Sequence, residues 1–414
     1  MSVTSPASTV EPGLQTSSLH PCASDPLTVL DITEWFGDTT GGIRTYLLQK
    51  SLYAQQREQL RHVLVVPGAG NSIETRSNAK TYRLRGPRIP RQPPYRLMLS
   101  RSKVMSVVGQ ERPDIIEVGS PFLSAWLARA AAHRFDVPLV AYFHSNAARL
   151  LAPRGARSSL LRRALHDATW SYLRVLHSRF AVTIASSHYA VRELASAGIQ
   201  RVVRVPLGVD VALFNTTRRA HSDATRAQHS LPTGLLATFV GRFAAEKELL
   251  VVLDAWERVE KATGARLLLV GAGPAERELR RHPYAHRVTF LPFQADRARI
   301  ADLLAACDLY IAPGRIETFG LSSLEALASG TPLLAANEGG VAEQVELSKA
   351  GLTFVAGNAN SLAENAAAIL RDPERLRAMG EAGRQYAVSE HDWTHVMDRL
   401  FDVYRAVVDE YRGR

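Results

Sequence analysis

From Gly314 to Pro332 the chain reads "GRIETFGLSSLEALASGTP". Two glutamates, Glu317 and Glu325, stand eight positions apart, and Phe319, Gly320 and Leu321 come just after the first. The preceding "LYIAP" (309–313) has the pattern of a short buried strand, and Leu321, Leu324 and Leu327 recur at helical spacing. A strand, a loop and a helix starting near Leu321 are therefore expected. Glu317 then lies in the loop, and Glu325 lies one turn inside the helix on a side facing a cleft. The amides of Phe319, Gly320 and Leu321 would point out of the helix N-terminus, where an anion is favoured, and Gly320 lets that backbone come close. Carboxylates accept from vicinal hydroxyls, and amides with Arg or Lys hold phosphates, which is what a sugar nucleotide requires. The competing reading makes Glu317 a helix-dipole partner and Glu325 an ordinary surface residue.

Two other loops favour the first reading. The strand "LATFVG" runs into "GRFAAEKELL" (241–250), so Arg242 and Lys247 sit just beyond a strand end, where two cations can neutralise a diphosphate. The strand "RLLLVG" runs into "VGAGPAERE" (270–278), where Gly271 and Gly273 allow a tight turn with close backbone approach to a ligand. The G-x-G-x-x-G dinucleotide pattern fails there, because Glu276 occupies the third glycine position, and a nicotinamide-dependent dehydrogenase loses its main support.

The same alternation of strand and helix runs along most of the chain. Strands are expected at 27–32, 62–66, 114–118, 138–143, 181–185 and 201–205, then at 236–241, 266–271, 288–292, 309–313, 332–336 and 352–356. Short apolar runs separated by helical patterns predict parallel sheets covered by helices. The fold class is α/β, as two doubly wound, Rossmann-like parallel-sheet domains facing each other across a cleft. A chain of 414 residues is long for a single core and suits two domains. The polar, turn-rich stretch Pro206–Gly234 marks the junction. The expected division is a disordered tail at 1–24, a first domain at 25–205, a second at 206–390, and a terminal helix at 391–414 packing back on the first domain.

The composition, 46% hydrophobic and 22% charged, is that of a soluble globular protein. The first 24 residues are rich in Ser, Thr and Pro and lack the basic and apolar regions of a signal peptide. Cys22 and Cys307 supply neither a disulfide framework nor metal-ligand spacing, and a reducing cytoplasm fits. The net charge of +10 is concentrated early: residues 25–200 hold 24 Lys and Arg against 12 Asp and Glu. Arg83–Lys103 carries seven basic residues and no acidic one, and Arg149–Arg163 carries five more. Such patches suit phosphates or an anionic lipid surface, or are a solvated face of an Arg-rich protein.

The motifs in order resemble the retaining glycosyltransferases of family 4, which have the GT-B architecture. The resemblance rests on "GGIRTYL" (41–47), "FHSN" (143–146), "PLGVD" (206–210), "GRFAAEK" (241–247), "VGAGP" (270–274), "ETFGLSSLE" (317–325) and "GGVAEQV" (339–345), each at the end of a strand. "DITEWFGDTTGGIRTYL" looks most like bacterial mannosyl- and glucosyltransferases acting on lipid or isoprenoid acceptors. The resemblance implies that Arg242 and Lys247 bind the donor diphosphate, Glu325 takes the ribose hydroxyls, and Glu317 holds hydroxyls of the transferred sugar near the Phe319–Leu321 amides. It implies also that Gly41 and Gly42 let a loop close over the diphosphate, and that His144 sits by the sugar on the acceptor side, in a positioning role. The glycine that often follows the Glu-Lys pair is Glu248 here.

There is no Asp-x-Asp motif or His/Cys cluster, so no metal and no cofactor beyond the nucleotide-sugar donor are expected; the fixed charges would stabilise the leaving group. The expected donor is GDP-mannose, with UDP-glucose next, and the acceptor a lipid or glycan hydroxyl. Arg83–Lys103, with Tyr95, Leu97, Met98 and Leu99, is expected to dock on an anionic membrane surface at the inner face of the cell membrane. Another protein of the same architecture, such as a sugar-nucleotide epimerase, would need titratable residues around C2. A basic surface-binding protein is the remaining alternative; the aromatics that nucleic-acid binding would interleave with the charges are absent, and no nucleic-acid partner is expected.

Overall fold

A computed structural model describes residues 26–37, 41–90, 94–151 and 159–414. The expected tail at 1–24 lies outside the described residues. The strands are β1 (Leu27–Ile32), β2 (Leu60–Gly68), β3 (Ser72–Arg76), β4 (Ala79–Arg85), β5 (Ile115–Val118), β6 (Leu139–Phe143), β7 (Val182–Ala185), β8 (Val202–Arg204), β9 (Leu236–Val240), β10 (Arg266–Val270), β11 (Val288–Leu291), β12 (Leu309–Ala312), β13 (Leu333–Ala336) and β14 (Gly351–Phe354). They form two sheets, ordered β3-β4-β2-β1-β5-β6-β7-β8 and β11-β10-β9-β12-β13-β14. Every pairing is parallel except β3 with β4.

Both faces of the sheets are covered, so central strands are apolar throughout. In β10, Leu267 and Leu269 join one core with Trp256 of the Leu249–Thr263 helix, while Leu268 and Val270 join another. The twelve expected strands all form. The antiparallel pair β3–β4 was not legible: β3 is exposed at every residue and lies at the sheet edge, so it carries no hydrophobic signature. In β4 the inward Tyr82 and Leu84 alternate with arginines that read as a charge run.

In each sheet the chain reverses its winding beside the first strand of the domain, at β1/β5 and at β9/β12. The loops leaving the C-terminal ends of those strands diverge there and leave a crevice. Residues 33–37 and 41 follow β1, residues 241–248 follow β9 and residues 313–320 follow β12, so the candidate residues lie beyond strand ends, where open α/β sheets bind ligands.

The Trp393–Arg412 helix lies against the first sheet. Its Tyr404 hydroxyl donates to Glu117 at 2.5 Å and accepts from Lys50 Nζ at 2.7 Å. Lys50 also binds Asp31 and Glu117 at 3.0 Å each, and His62 Nε2 lies 2.7 Å from Asp31. All of these groups are buried. Burial alone would raise Asp31, but Lys50 and His62 hold it well below the usual carboxylate range. Glu117, its burial penalty reinforced by the charge of Asp31, is pushed up despite Lys50. This network clamps the Gly42–Gln55 helix between the sheet and the terminal helix, which fixes the position of that helix's N-terminus at the crevice.

Candidate active site

The 241–248 loop carries Arg242 and Lys247. Arg242 Nη2 donates to Glu246 at 2.5 Å and keeps 55% of its side chain exposed. Lys247 lies in a 3-10 turn at Ala245–Lys247 and is ion-paired with Glu317 across from it. Desolvation, together with the charge of Arg242, lowers the Lys247 ammonium to about 8 although Glu246 opposes the shift. At neutral pH it remains charged. Glu248, at the position where a glycine is common, has φ 52° and caps the next helix. That left-handed conformation is unfavourable for a side-chain-bearing residue. The Glu248 carboxylate accepts from Arg315 Nε at 3.0 Å and from Nη2 at 3.1 Å, which holds the loop in this shape.

The Leu321–Ala328 helix begins where the leucine spacing puts it. Gly320 precedes it with φ 93°, and a Cβ there would sit 2.4 Å from Val341 Cγ2, so only glycine fits. Phe319 is buried with its ring near His391. Among the described residues, the amides of Phe319, Gly320 and Leu321 donate no hydrogen bond, the state of a helix N-terminus open to an anion. Glu325 is 2% exposed. That removes the reading of it as an ordinary surface residue. Burial raises its carboxyl pKa, and the ion pair with Arg297 opposes the shift. Arg297 itself is 43% exposed and packs over Phe214 at 4.9 Å. No sequence pattern singles out Arg297, one arginine in "DRARI". Phe293, next to β11, is 44% exposed near the same region of chain.

Gly271 has φ 147°, and a Cβ there would lie 1.9 Å from the Gly241 carbonyl oxygen. The close approach that requires glycine is thus to a neighbouring loop of the protein. The ligand approach expected from the sequence is not needed to explain it. Gly41 is different. It has φ −82°, and a Cβ would meet nothing within 4 Å. Gly42 faces Leu321, with a Cβ contact of 3.8 Å, so the N-termini of the 42–55 and 321–328 helices oppose each other across the crevice.

On the first-domain side, His144 follows β6 and stacks on Tyr142 with ring centroids 4.3 Å apart. Burial, with the charge of Lys50, lowers its imidazole to about 3, so it is neutral at pH 7. Its Nε2 is buried without a partner. A small cavity at the ends of β5 and β6 is lined by Gly119, Ser120, His144 and His177. A base of such low pKa is a poor proton acceptor and suits positioning.

The two domains touch at the site itself. Thr318 Oγ1 donates to the His144 carbonyl at 2.7 Å, and Ser187 Oγ donates to the Thr318 carbonyl at 2.6 Å. Glu343 accepts from the backbone amides of His188 at 2.9 Å and Tyr189 at 2.7 Å, at the N-terminus of the His188–Ser196 helix. Glu343 and Ser187 were not foreseen.

In the segment expected to dock on a membrane, part of the apolar content packs inward. Met98 is 1% exposed and part of the core, and Tyr95 packs edge-on against Trp35 at 4.6 Å. Of Tyr95, Leu97, Met98 and Leu99, all among the described residues, only Leu99 is largely exposed. Residues 91–93 within it, and 152–158 of the second basic stretch, lie outside the described residues. Among the described residues no helix is long and apolar enough to cross a membrane.

The family model for Glycosyltransferase Family 4 matches residues 40–213, and that for Glycosyl transferases group 1 matches residues 222–386. A GDP-mannose-dependent alpha-(1-6)-phosphatidylinositol dimannoside mannosyltransferase of Mycobacterium tuberculosis is 30% identical over 76% of this chain and 81% of its own length. The chain belongs to glycosyltransferase family 4. The sulfoquinovosyl transferase of Arabidopsis thaliana is 28% identical over 72% of the chain, and the match spans 58% of that relative. Among solved structures, sucrose-phosphate synthase from Thermosynechococcus elongatus superposes with a TM-score of 0.75 at 21% identity, covering 93% of this chain and all of that one. The fold is therefore GT-B. Within it the two family models meet near the junction between the sheets, and the E-x7-E glutamates and the Arg242–Lys247 loop fall in the second of them.

Proposed function

We propose that this family 4 glycosyltransferase moves a hexose from a nucleoside diphosphate sugar to a hydroxyl acceptor with retention of configuration, using fixed positive charge where other enzymes use a metal. GDP-mannose is the favoured donor and UDP-glucose the next; the acceptor is a lipid-linked or glycan hydroxyl. The observation that carries the reading is the convergence of Lys247, Arg242 and the 321–328 helix N-terminus on one crevice beside Glu317 and the buried Glu325.

In this reading the diphosphate lies against Arg242, Lys247 and the open amides, whose fixed dipoles and charges stabilise the leaving group as its bond to the sugar breaks. Glu325, held by Arg297, accepts from the ribose hydroxyls. Glu317 exchanges its ion pair with Lys247 for hydroxyls of the sugar, which releases Lys247 to the phosphate. His144 shapes the sugar side, and the departing phosphate oxygen takes the proton of the attacking hydroxyl, so no protein base is assigned.

The preference for mannose is supported by the mycobacterial relative described above, a GDP-mannose-dependent mannosyltransferase. Attachment to an anionic membrane surface is retained as part of the proposal but moved: the Ser159–His177 helix exposes Leu160, Leu165, Tyr172 and Val175, next to Arg163 and Arg174. Apolar residues beside basic ones suit an interfacial helix.

The test is transfer of labelled sugar from GDP-mannose or UDP-glucose to a bacterial polar lipid extract, with and without EDTA, and NMR of the anomeric proton of the product. An α-mannosylated lipid formed equally in EDTA is expected. Inversion, or a strict need for magnesium, would contradict the mechanism; glucose transfer alone would move the donor to UDP-glucose.

A further inference from the structure

Four cations on the second-domain side of the crevice each face a carboxylate: Arg242 with Glu246, Lys247 with Glu317, Arg297 with Glu325, and Arg315 with Glu248. The first-domain side is built differently. Arg44, in the first turn of the Gly42–Gln55 helix, and Arg83, near the C-terminal end of β4, both set their guanidinium carbons 5.6 Å from the ring centroid of Phe36. The two are thus at most twice that distance apart. Both are half-buried, Phe36 is 5% exposed, and neither arginine is ion-paired with a carboxylate among the described residues. Arg44 Nε is buried with no hydrogen-bond partner, and so is Trp35 Nε1 one residue before Phe36.

A buried donor without a partner costs stability, and buried donors in folded proteins are nearly always satisfied. The 42–55 helix adds to the positive field: it has no acidic residue in its first turn and no side-chain cap. The group is also in the right place. Gly42 of the same helix meets Leu321 across the crevice, and Trp35 packs on Tyr95.

We infer that Arg44 and Arg83, braced on Phe36, form an anion site on the acceptor side that holds a phosphate group carried by the acceptor. Two guanidinium forks and a helix N-terminus together match the charge and the tetrahedral oxygens of a phosphate better than a single carboxylate. Phe36 keeps the two arginines apart and upright by cation–π contact while no anion is bound. The site rests on the transferase reading, since it gives the phosphate a meaning as part of the second substrate.

The experiment titrates inorganic phosphate into the full chain already saturated with GDP or UDP, whichever binds, so that the donor diphosphate position is filled. Calorimetry or 31P line broadening reads phosphate binding. Saturable binding to the wild type, weakened about tenfold or more in Arg44→Gln and in Arg83→Gln as each removes a charge-assisted contact, and partly restored in Arg83→Lys, is the expected result. Nucleotide affinity should stay within about twofold in all three variants, which also shows that they fold. Glycerol 3-phosphate displacing the phosphate where phosphatidylglycerol vesicles do not assigns a soluble phosphorylated acceptor. Displacement by the vesicles assigns a lipid headgroup. Nucleotide binding without any phosphate response, or a phosphate response unchanged in both glutamine variants, overturns this site alone. Failure of the wild type to bind any nucleotide overturns the transferase reading and this site with it.

Discussion

Replacing Glu325 by Gln separates a binding role from a structural one. The side chain keeps its size and loses its charge. In the folded protein the carboxylate is almost fully buried, and burial pushes its pKa up against the influence of Arg297. Removing that charge therefore relieves a desolvation penalty while it breaks an ion pair. The surviving partner, Arg297, has 43% of its side chain exposed and can be rehydrated. Leaving a buried charge unpaired costs several kcal/mol, but that penalty applies little here, and the net change in stability should stay within about 1 kcal/mol. Nucleotide binding should change more. A hydrogen bond to a charged group contributes about 1.5–3 kcal/mol, so losing the carboxylate from the ribose hydroxyls should weaken GDP or UDP about 10- to 150-fold. Calorimetry measures the affinity and thermal unfolding the stability, on the same samples. The partner change, Arg297→Ala, should raise the Glu325 pKa further. A carboxyl raised above its unfolded value keeps a proton that the unfolded chain has released, so this variant should gain stability as pH falls from 7 towards 5, while its nucleotide affinity declines over the same range. If Glu325→Gln binds nucleotide like the wild type and only melts lower, Glu325 serves the fold through Arg297 and the reasoning fails.

Because the Lys247 ammonium lies near 8, nucleotide affinity should fall as pH rises through about 8, and the dependence should vanish in Lys247→Ala; titrations from pH 6.5 to 9.5 test this. Gly41→Ala should leave stability within about 0.5 kcal/mol, since a Cβ meets nothing, and should weaken the donor only if the diphosphate approaches that backbone. Gly271→Ala, which drives a Cβ against the Gly241 carbonyl, should lower stability by more than about 2 kcal/mol in chemical unfolding. Glu343→Gln weakens two charge-assisted bonds to the 188–196 helix N-terminus and should let the domains open. A larger radius of gyration in X-ray scattering, with turnover reduced several-fold, is the expected outcome.

The alternation of buried strands and amphipathic helices was readable because parallel strands are apolar along their whole length. The residues proposed for the site are legible where they lie in short stretches, Glu317 to Glu325 and Arg242 to Lys247, and the Lys247–Glu317 ion pair brings those two stretches together. The site was not readable where it depends on partners far apart in sequence. Arg297 and Arg315 are single arginines among many, and only the fold brings them to Glu325 and Glu248. The same holds for Arg44 and Arg83, which share Phe36 although β4 and the helix after β1 are remote in sequence. Gly271 illustrates a right residue with a different cause, since a neighbouring carbonyl demands it. Glu248 shows that a left-handed position can carry a charged side chain when an arginine binds it. The docking expected of Arg83–Lys103 rests on charge and apolar content, which are visible in sequence, whereas the inward packing of Met98 and Tyr95 is not.

The central claim is that this crevice binds a nucleoside diphosphate through Lys247, Arg242 and the glutamates. Its most direct test is thermal unfolding of the wild type and of Arg242→Ala with GDP, UDP and ADP, with and without magnesium. A nucleotide present at 100 times its dissociation constant should stabilise the wild type by about 2.7 kcal/mol. The account predicts such a shift with GDP, or with UDP, unchanged by magnesium and much reduced in Arg242→Ala. No shift with any of the three nucleotides would contradict it.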